Sequence, residues 1–259
     1  MSKKKRKINT ILHLVNAICL CIFIFSGYKL ISYYFEYKSM DSVYANIIED
    51  VIGDTTYELD SEGLLKKMLK IDMDSLFAIN DEVIGYILIP DTKISYPLLY
   101  SANDPIKYLN YDAQGNESRA GAIFIDTNNK PSLEDDNTII YGHNMMDNSM
   151  FGELSQYIND KEFFSKHAYI YIYTRDEIRL YRIYAAFSTV AGSDVYTLNF
   201  PNNNSMQNYI TNNTANSVQT PKIVPEKAEH LITLSTCQSS SGDGRNVVLA
   251  YLVDTFPQE

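Results

Sequence analysis

A mostly apolar run of twenty residues, from Ile8 to Gly27, directly follows five basic residues at positions 3–7. A helix of about twenty residues is long enough to cross the hydrocarbon core of a bilayer. Aromatic side chains follow at 33–35, as expected at a membrane–water interface, and a basic cluster usually remains on the cytoplasmic side. The sequence therefore predicts a cytoplasmic tail at 1–7, a transmembrane anchor at 8–35 and an extracellular remainder.

Two other structures could account for this apolar run. A cleaved signal peptide would need small residues at its cleavage site, and Phe25-Ser26-Gly27 followed by Tyr28 matches that requirement poorly. A core helix of a soluble domain seldom begins with five basic residues at the very N-terminus. The uncleaved anchor is therefore the favoured interpretation.

The net charge is unevenly divided between the basic residues before the anchor and the rest of the chain. The whole chain carries a formal charge of −10, of which the basic residues at 3–7 contribute +5, so the remaining residues carry −15. Nucleic-acid binding requires clustered Lys and Arg, so a body this acidic argues against a nucleic-acid partner. Its surface is expected to meet water, cations or a basic peptide.

Residues 36–75 are predicted to form a helical linker. Apolar residues recur with a helical period between Met40 and Val51, and Gly53-Asp54 is expected to end that amphipathic helix. A second short helix is predicted around Glu62–Lys70. Together these helices would pack on the following domain and hold it at a set distance from the membrane.

The outer domain, residues 76–259, has the pattern of many short strands. The eight candidates are Val83–Ile89, Ile94–Leu99, Ala122–Ile125, Thr138–Tyr141, Ala168–Tyr173, Ile178–Val190, Leu231–Thr236 and Asn246–Val253. Short helices are expected in the connections, at Met150–Tyr157, Lys161–Ser165 and within 203–213. The pattern predicts a mainly β fold, a closed antiparallel or mixed barrel of about eight strands with N-terminal helices.

Cys237 is the one cysteine expected outside the membrane, because Cys19 and Cys21 lie within the predicted anchor. A lone extracellular thiol has no intramolecular disulfide partner, and such thiols oxidise or mispair unless they serve a purpose. Cys237 ends an alternating run that begins at Leu231, and a polar segment follows, so the thiol is expected at a strand end that is open to substrate. An isolated cysteine would more often be a small buried hydrophobe.

A cysteine nucleophile needs a base or a cation nearby, since an unperturbed thiol has a pKa of about 8.5. Of the three histidines outside the anchor, His143 follows a predicted strand and Gly142, which is a strand-end setting like that of Cys237. His167 lies in a charged turn, where a solvated side chain is expected, and His230 precedes the thiol by about 23 Å of extended chain. His143 is therefore the predicted partner.

Arg245 follows Cys237 by eight residues and begins the last predicted strand. If the two strands form a hairpin, the guanidinium returns beside the thiol. A fixed cation there could bind a substrate carbonyl and its developing oxyanion. Taken alone, Arg245 would rather be a surface residue that pairs with Asp243 or with solvent.

Together these segments resemble the sortase family, and its class B in particular. Residues 233–237 read TLSTC and Arg245 follows them, which is similar to the sortase signature TLxTC with its downstream Arg. Ile140–Met145 resembles the segment around the catalytic His of class B sortases, and Ser235 within TLSTC favours the same class. The resemblance covers roughly residues 76–254.

The resemblance implies a sortase-type barrel on a Gram-positive cell surface and an acyl transfer that needs no metal or organic cofactor. The Cys237 thiolate would attack the carbonyl after Thr in a sorting signal of the NPxTN kind. His143 would protonate the leaving amine, and Arg245 would stabilise the tetrahedral oxyanion. An amine from a peptidoglycan precursor, or from a pilin Lys in a pilus-building member, would then resolve the thioacyl-enzyme.

The resemblance also implies where the sorting signal binds. The connection at 191–229 would form the wall over it, and Ser235 and Leu98 are the predicted substrate contacts. Class B members often have an aromatic and acidic stretch between Cys and Arg, where this chain has Gln238–Gly244. They are also expected to have an aromatic and a basic residue where this chain has Thr127–Asn129. Both differences lie where a substrate or a second nucleophile would be recognised.

Two other functions are compatible with parts of this pattern. A surface cysteine protease would use the same three residues and hydrolyse its acyl-enzyme, so only product analysis with an amine acceptor separates the two. A non-enzymatic anchored barrel that binds a cell-wall or peptide ligand would leave Cys237 inert, and the joint occurrence of Cys, His and Arg argues against it. The acidic run Glu134–Asp136 could hold Ca²⁺, but such a run is usually a solvated loop, so no metal site is predicted.

Overall fold

One long helix, α1 (Lys3–Val51), forms the N-terminal part of the chain. The predicted anchor and the amphipathic helix predicted to follow it are one continuous helix. No proline interrupts residues 3–51, and the single glycine there, Gly27, lies within helix. Within Ile11–Val51 an apolar window has a mean hydropathy of 2.0 and is not buried, which makes α1 the one helix in the described chain that is long and apolar enough to cross a membrane.

The computed structural model describes the backbone of residues 3–59, 65–238 and 242–258, and the side chains of residues 11–53, 69–238 and 242–258. By its internal contacts the chain divides into two units, residues 1–46 and residues 47–259. All the elements that follow α1 belong to the second unit.

A β-hairpin follows α1, where the sequence predicted a second helix. β1 (Ile52–Leu59) pairs antiparallel with β2 (Leu65–Ile71). The helix predicted around Glu62–Lys70 is therefore wrong from residue 65 onward, and residues 60–64 lie outside the described part of the chain. The spacing of apolar residues in so short a segment is compatible with either structure. The strand prevails because β1 supplies its backbone with hydrogen-bonding partners.

The hairpin contacts the rest of its unit and leads directly into a short helix. The Leu69 N–H donates a hydrogen bond to Tyr173 Oη at 3.0 Å. α2 (Met73–Ile79) then begins behind Asp72, whose carboxylate accepts from the backbone N–H of Ser75 at 3.1 Å. This is an ordinary N-cap, which satisfies one of the free donors of the first helical turn.

Eight strands close into one barrel in the order β10-β8-β7-β3-β4-β5-β6-β9. The pairs β4–β5 and β6–β9 are parallel and the other six are antiparallel, so the barrel is mixed. All eight predicted strands and the predicted closed barrel are confirmed. The strands are β3 (Val83–Leu88), β4 (Ser95–Leu99), β5 (Ile123–Ile125), β6 (Asn137–Tyr141), β7 (Tyr169–Tyr173), β8 (Glu177–Val190), β9 (Leu231–Cys237) and β10 (Gly244–Pro257).

The helices predicted in the connections are confirmed with shifted ends, as α3 (Leu154–Asn159), α4 (Lys161–Lys166) and α5 (Asn203–Asn216). α3 begins later than predicted because Met150 has a positive φ of 53° and forms an isolated bridge with Asn144. Two short 3₁₀ helices, Lys107–Leu109 and Asp194–Tyr196, were not predicted. Both lie in connections that reach the candidate site.

The strands that end at the candidate site are buried almost along their whole length. In β6 every residue except Tyr141 is buried, and in β9 every residue except Cys237 is buried. α5 packs Met206, Tyr209 and Ile210 into a cluster with side chains of β8, β9 and β10. Because full burial of one Val, Leu or Ile side chain contributes roughly 1.5–3 kcal/mol, these strands are held firmly up to their ends.

The sequence suggested a solvated loop at the acidic run Glu134–Asp136, and of the three only Glu134 is exposed. Asp135 is only 5% exposed, and its carboxylate accepts from Asn129 Nδ2 at 3.0 Å and from the Lys130 N–H at 2.6 Å. The Asp136 carboxylate accepts from the Phe200 N–H at 2.7 Å. These carboxylates therefore hold loops in place. Among the described residues no group of three or more His, Cys, Asp or Glu is placed to hold a metal ion.

Candidate active site

Cys237 and Arg245 face each other across a two-stranded ladder. Cys237 is the last residue of β9, its side chain is exposed, and its register partner on β10 is Arg245. Directly paired residues of antiparallel strands place their side chains on the same face, about 5 Å apart at Cβ. The hairpin predicted from the eight-residue spacing is therefore confirmed, with the thiol and the guanidinium on one face.

His143 reaches the same place from the parallel neighbour of β9. Tyr141 at the end of β6 pairs with Ser235, and the Gly142 N–H donates to the Ser235 carbonyl at 3.3 Å. His143 is two residues beyond Tyr141, as Cys237 is two residues beyond Ser235. The two candidate residues thus occupy equivalent positions in the register, Cys237 as the last residue of β9 and His143 two residues past the end of β6. Neighbouring strands lie about 4.8 Å apart.

The orientation of the His143 ring is set by a backbone carbonyl. His143 Nε2 lies 2.8 Å from the carbonyl oxygen of Leu109. Because a carbonyl can only accept, Nε2 carries a proton in this arrangement and Nδ1 is left for proton exchange. The His143 carbonyl in turn accepts from the Phe151 N–H at 2.9 Å, which holds the backbone of the histidine.

The Leu109 carbonyl is fixed by a polar network one residue away. The Tyr108 hydroxyl donates to the Glu82 carboxylate and accepts from Asn80 Nδ2 at 3.0 Å. Lys107 Nζ also binds Glu82, at 2.6 Å. Burial alone would raise the pKa of Glu82, but the hydrogen bonds from Lys107 and Tyr108 outweigh it and lower that pKa below its ordinary value.

Two glycines beside His143 allow close packing around it. A Cβ on Gly142 would lie 2.4 Å from Ile123 Cδ1 and 2.9 Å from the ring of Phe151. Gly121 has a φ of +59°, and a Cβ there would lie 2.2 Å from the Tyr108 carbonyl oxygen and 3.2 Å from His143 Cδ2. The imidazole of His143 therefore packs against Gly121. The backbone of Gly121 has a conformation that favours glycine.

Two stacked tyrosines, Tyr141 and Tyr196, lie near Arg245. The rings of Tyr141 and Tyr196 lie 6.4 Å apart at an interplanar angle of 21°. Tyr141 Oη donates to Asp126 at 3.0 Å, and Tyr196 Oη shares a 2.9 Å hydrogen bond with Ser235 Oγ. Burial raises the pKa of both phenols, and the charge of Arg245 partly opposes that rise. Both hydroxyls are therefore neutral hydrogen-bonding groups at neutral pH.

Arg245 is held by the hairpin backbone, and not by the ion pair with Asp243 that was its alternative explanation. Its Nη1 donates to the carbonyls of Gly244 at 2.9 Å and of Gly242 at 3.3 Å. Arg245 is half-buried. Its positive charge opposes the rise in the pKa of Tyr196 that burial causes, whereas Cys237 adds to that rise. A guanidinium fixed in this way is a preorganised positive charge beside the thiol.

The other predicted residues lie in different settings. Ser235 is 1% exposed and holds Tyr196, whereas Leu98 is fully buried in β4 and presents no surface to a peptide in this structure. His167 is not the solvated side chain that was expected, because it is buried and its Nδ1 binds the Pro90 carbonyl at 3.0 Å. His230 Nδ1 binds the Asp135 carbonyl at 3.1 Å, away from the thiol, as its place in the chain predicted.

Three groups of the site were missed by sequence reasoning. Asn144 Nδ2 donates to the Cys237 carbonyl at 2.9 Å and so links the two strand ends. Its position next to His143 was the available signal. The Leu109 carbonyl is a backbone atom and has no signature in side-chain chemistry. Tyr196 enters from a long connection, and nothing in its local sequence marks it.

This chain is similar to known proteins over most of its length. The sortase domain family matches residues 87–253. Sortase B of Listeria monocytogenes (serovar 1/2a, strain ATCC BAA-679 / EGD-e) is 31% identical over 241 residues, which cover 91% of this chain and 94% of the relative.

Two solved structures have the same fold. The crystal structure of sortase B from B. anthracis in complex with AAEK1 has a TM-score of 0.69 and 29% identity, and the match covers 85% of this chain and 99% of that one. The Staphylococcus aureus sortase B–substrate complex has a TM-score of 0.64 and 29% identity, over 70% of this chain and 84% of that one. This chain therefore belongs to the sortase family and, within it, to the class B cysteine transpeptidases.

Proposed function

We propose that this protein is a membrane-anchored transpeptidase that cleaves an NPxTN-like sorting signal after Thr and joins the acyl group to an amine of a cell-wall precursor. The observation that carries the proposal is the register of three strand ends. Cys237 and Arg245 are direct partners across β9 and β10, and His143 occupies the equivalent position past the end of β6. No other thiol occurs in residues 36–259.

The first half of the reaction forms a thioacyl-enzyme. The Cys237 thiolate attacks the carbonyl carbon after Thr, and the carbonyl oxygen gains negative charge beside the Arg245 guanidinium. His143 donates a proton from Nδ1 to the leaving amine while the Leu109 carbonyl holds Nε2–H. The peptide C–N bond breaks and a C–S bond to Cys237 remains.

The second half transfers the acyl group to an amine. The amine nitrogen attacks the thioester carbon, the C–S bond breaks, and the amine proton passes through His143 to the departing thiolate. Water in place of the amine would give hydrolysis as a side reaction. The same chemistry accepts a pilin Lys, so a pilus-building use differs in the acceptor and not in the three residues.

The long connection at 191–229 is proposed as the wall over the sorting signal. Asn137 of β6 anchors the first part of this connection, around residues 195–197. Its Nδ2 donates to the Thr197 carbonyl at 2.9 Å and to the Val195 carbonyl at 3.2 Å. This anchoring places Tyr196 over Ser235. A signal lying beside the connection would pass along Tyr196 towards the end of β9, with its scissile carbonyl towards Cys237.

The chain organisation follows from the same proposal. Residues 1–7 form the cytoplasmic tail, 8–35 the membrane anchor, 36–75 the linker and 76–259 the catalytic domain outside the cell. The exposed apolar surface of α1 supports the anchor, because apolar side chains that no protein surface covers are stable in lipid. The basic residues at 3–7 support the orientation.

The test is product analysis with the full chain in detergent micelles. An NPxTN-like peptide and, separately, an LPxTG-like peptide are incubated with and without triglycine, and products are identified by mass spectrometry. The proposal expects cleavage after Thr and a triglycine-joined product for the NPxTN-like peptide. Cleavage without joining would instead indicate a cysteine protease, and absence of cleavage of either peptide would overturn the proposal.

Three variants identify the residues that carry the reaction. Cys237→Ala and His143→Ala are expected to abolish both products, and Arg245→Ala to reduce the rate about 100- to 1,000-fold, as for loss of one oxyanion donor. His230→Ala is a matched histidine control that leaves the site intact. Equal rates for His143→Ala and His230→Ala would remove His143 from the mechanism.

A further inference from the structure

The carbonyl that binds His143 Nε2 belongs to the short 3₁₀ helix Lys107–Leu109. The peptide group that carries the Leu109 carbonyl also carries the Asn110 N–H, which donates to the Lys107 carbonyl at 3.1 Å. Because a peptide group is planar, this bond on one side fixes the direction of the carbonyl on the other. The orientation of the His143 ring therefore depends on what holds this 3₁₀ helix in place.

Two side chains of the 3₁₀ helix end on one carboxylate outside it. Lys107 Nζ lies 2.6 Å from Glu82 Oε2, and the Tyr108 hydroxyl donates to the same oxygen. Tyr108 is buried, and its backbone carbonyl accepts from the Ala122 N–H at 2.9 Å, so this residue is held at both ends. Glu82 thus holds both residues that directly precede Leu109.

Glu82 is itself fixed by its backbone at the start of β3. Its N–H donates to Asn80 Oδ1 at 2.9 Å, and its carbonyl accepts from the Tyr100 N–H at 2.9 Å. Asn80 Nδ2 also donates to the Tyr108 hydroxyl at 3.0 Å. A glutamate is ionised at neutral pH, and hydrogen bonds to an ionised carboxylate are stronger than those between neutral groups. The 3₁₀ helix is therefore tied to the barrel through Glu82.

An ordinary surface ion pair would explain only part of this arrangement. The side chains of Lys107 and Glu82 are 33% and 27% exposed, and exposed ion pairs contribute little to stability. That account leaves out Tyr108, a buried residue whose hydroxyl is directed at the same carboxylate oxygen. Nucleophile–base pairs need a third group that orients the base. Here that group is a backbone carbonyl, so its position has to come from neighbouring side chains.

We propose that Glu82 is a positioning residue for proton transfer by His143. Its carboxylate holds the 3₁₀ helix so that the Leu109 carbonyl keeps the imidazole proton on Nε2 and leaves Nδ1 for the leaving amine. Glu82 acts through Lys107 and Tyr108 and does not itself exchange a proton with the substrate. This role rests on the proposed function, since it assigns the support of a residue that acts in that reaction.

The kinetic test uses the full chain in detergent micelles, an NPxTN-like peptide and triglycine, at a temperature at which every variant is folded. In Glu82→Gln and in Tyr108→Phe, kcat for joining is expected to fall roughly 10-fold, as for a displaced catalytic group. KM for the signal peptide is expected to stay within about twofold, because binding of the signal does not use this network. A rise in KM with kcat unchanged would overturn the assignment.

Asp112→Asn is the matched control within the same connection of the chain. The Asp112 carboxylate accepts from the Gln114 and Asn116 N–H groups at 2.9 Å each, but it does not bind the 3₁₀ helix. This variant also weakens hydrogen bonds to a buried carboxylate, and its kcat is expected to stay within about twofold of wild type. An equal fall in kcat in Asp112→Asn and Glu82→Gln would reduce Glu82 to a structural residue and overturn the proposal.

A double variant separates one shared path from general damage. If Glu82 and Tyr108 both act through the Leu109 carbonyl, the variant with Glu82→Gln and Tyr108→Phe should stay within about threefold of the slower single variant. Independent effects would multiply to a loss of roughly 100-fold, which would overturn the shared path. Glu82→Asp keeps the charge and should recover part of the rate that Glu82→Gln loses.

A measurement without turnover separates this inference from the proposed function. Nitrogen-15 NMR spectra of the histidine rings are recorded in a Cys237→Ala background above the ordinary pKa of histidine, and His143→Ala identifies the signals. The background protein and Asp112→Asn are expected to show His143 with its proton on Nε2, and Glu82→Gln to show a mixture of the two neutral tautomers. An unchanged His143 spectrum in Glu82→Gln would overturn the positioning role, whether or not the wild type joins peptides.

Discussion

Replacement of Gly121 by alanine should damage the site through the backbone that holds His143. A Cβ at position 121 would lie 2.2 Å from the Tyr108 carbonyl oxygen, and a backbone oxygen cannot rotate away. The segment that carries the Leu109 carbonyl must shift, and this carbonyl is the hydrogen-bond acceptor of His143 Nε2. Gly121→Ala therefore combines a cost in stability with a misplaced imidazole.

Gly115→Ala is the matched control for the backbone conformation. Gly115 has a φ of +83°, similar to the +59° of Gly121, but a Cβ there would meet nothing within 4 Å. Both variants place alanine in the left-handed region, at a cost of about 1–2 kcal/mol. Only Gly121→Ala adds the collision, which as overpacking costs about 1–3 kcal/mol more.

These free energies translate into distinct melting temperatures. At about 2–4 °C per kcal/mol for a domain of this size, Gly115→Ala should lower Tm by about 2–8 °C and Gly121→Ala by about 4–20 °C. Transpeptidation at 25 °C should fall about 10- to 100-fold in Gly121→Ala, as for a catalytic group displaced by 1 Å, and stay near wild type in Gly115→Ala. Circular dichroism and initial rates on the full chain measure both. Equal Tm and equal rates for the two variants would refute the reasoning.

Three further predictions concern the supports of the site. Gly142→Ala should lower stability by about 1–3 kcal/mol and slow joining, because its Cβ overlaps Phe151; the free energy of unfolding in urea and initial rates test this. Glu82→Gln should destabilise by about 1.5–3 kcal/mol at pH 7, since it weakens hydrogen bonds to a charged group. The pKa of Glu82 is lowered in the folded protein, so the wild type loses this stabilisation as the pH falls through that pKa. The difference in the free energy of unfolding between wild type and Glu82→Gln, measured in urea, should therefore become smaller in acid. A difference that does not change with pH would contradict this reasoning. Asn137→Ala removes the side-chain donor of the Thr197 carbonyl and one of the two side-chain donors of the Val195 carbonyl, the other being the Tyr209 hydroxyl. KM for the signal peptide should therefore rise more than kcat falls, and the reverse would remove Asn137 as an anchor of the wall.

The strands and the hairpin at the site could be predicted because their signals are local. The alternating run that ends at Cys237 and the short polar link to Arg245 can form little else than two paired strands. The strand before His143 has a similar signal. The position of His143 relative to Cys237 could not be predicted from local signals. It depends on the parallel pairing of β6 with β9, which are about ninety residues apart in sequence. Its assignment came by elimination among the histidines and from the resemblance.

The parts that were missed depend on contacts distant in sequence. The acceptor of His143 Nε2 is a carbonyl 34 residues earlier, and Tyr196 comes to Ser235 across 39 residues. Local patterns contain no information on such contacts. The strand Leu65–Ile71 has a short apolar pattern that also predicts a helix, and only the pairing with β1 decides between the two structures.

The most direct test of the central claim is to trap the acyl group on the enzyme. The full chain is mixed with an NPxTN-like peptide without an acceptor, quenched in acid within the first turnover, and digested for mass spectrometry. The peptide fragment ending in Thr is expected to be attached to Cys237, to disappear from it when triglycine is added, and not to be attached to the protein at all in Cys237→Ala. Cleavage that proceeds with no adduct on Cys237, or that persists in Cys237→Ala, would contradict the account.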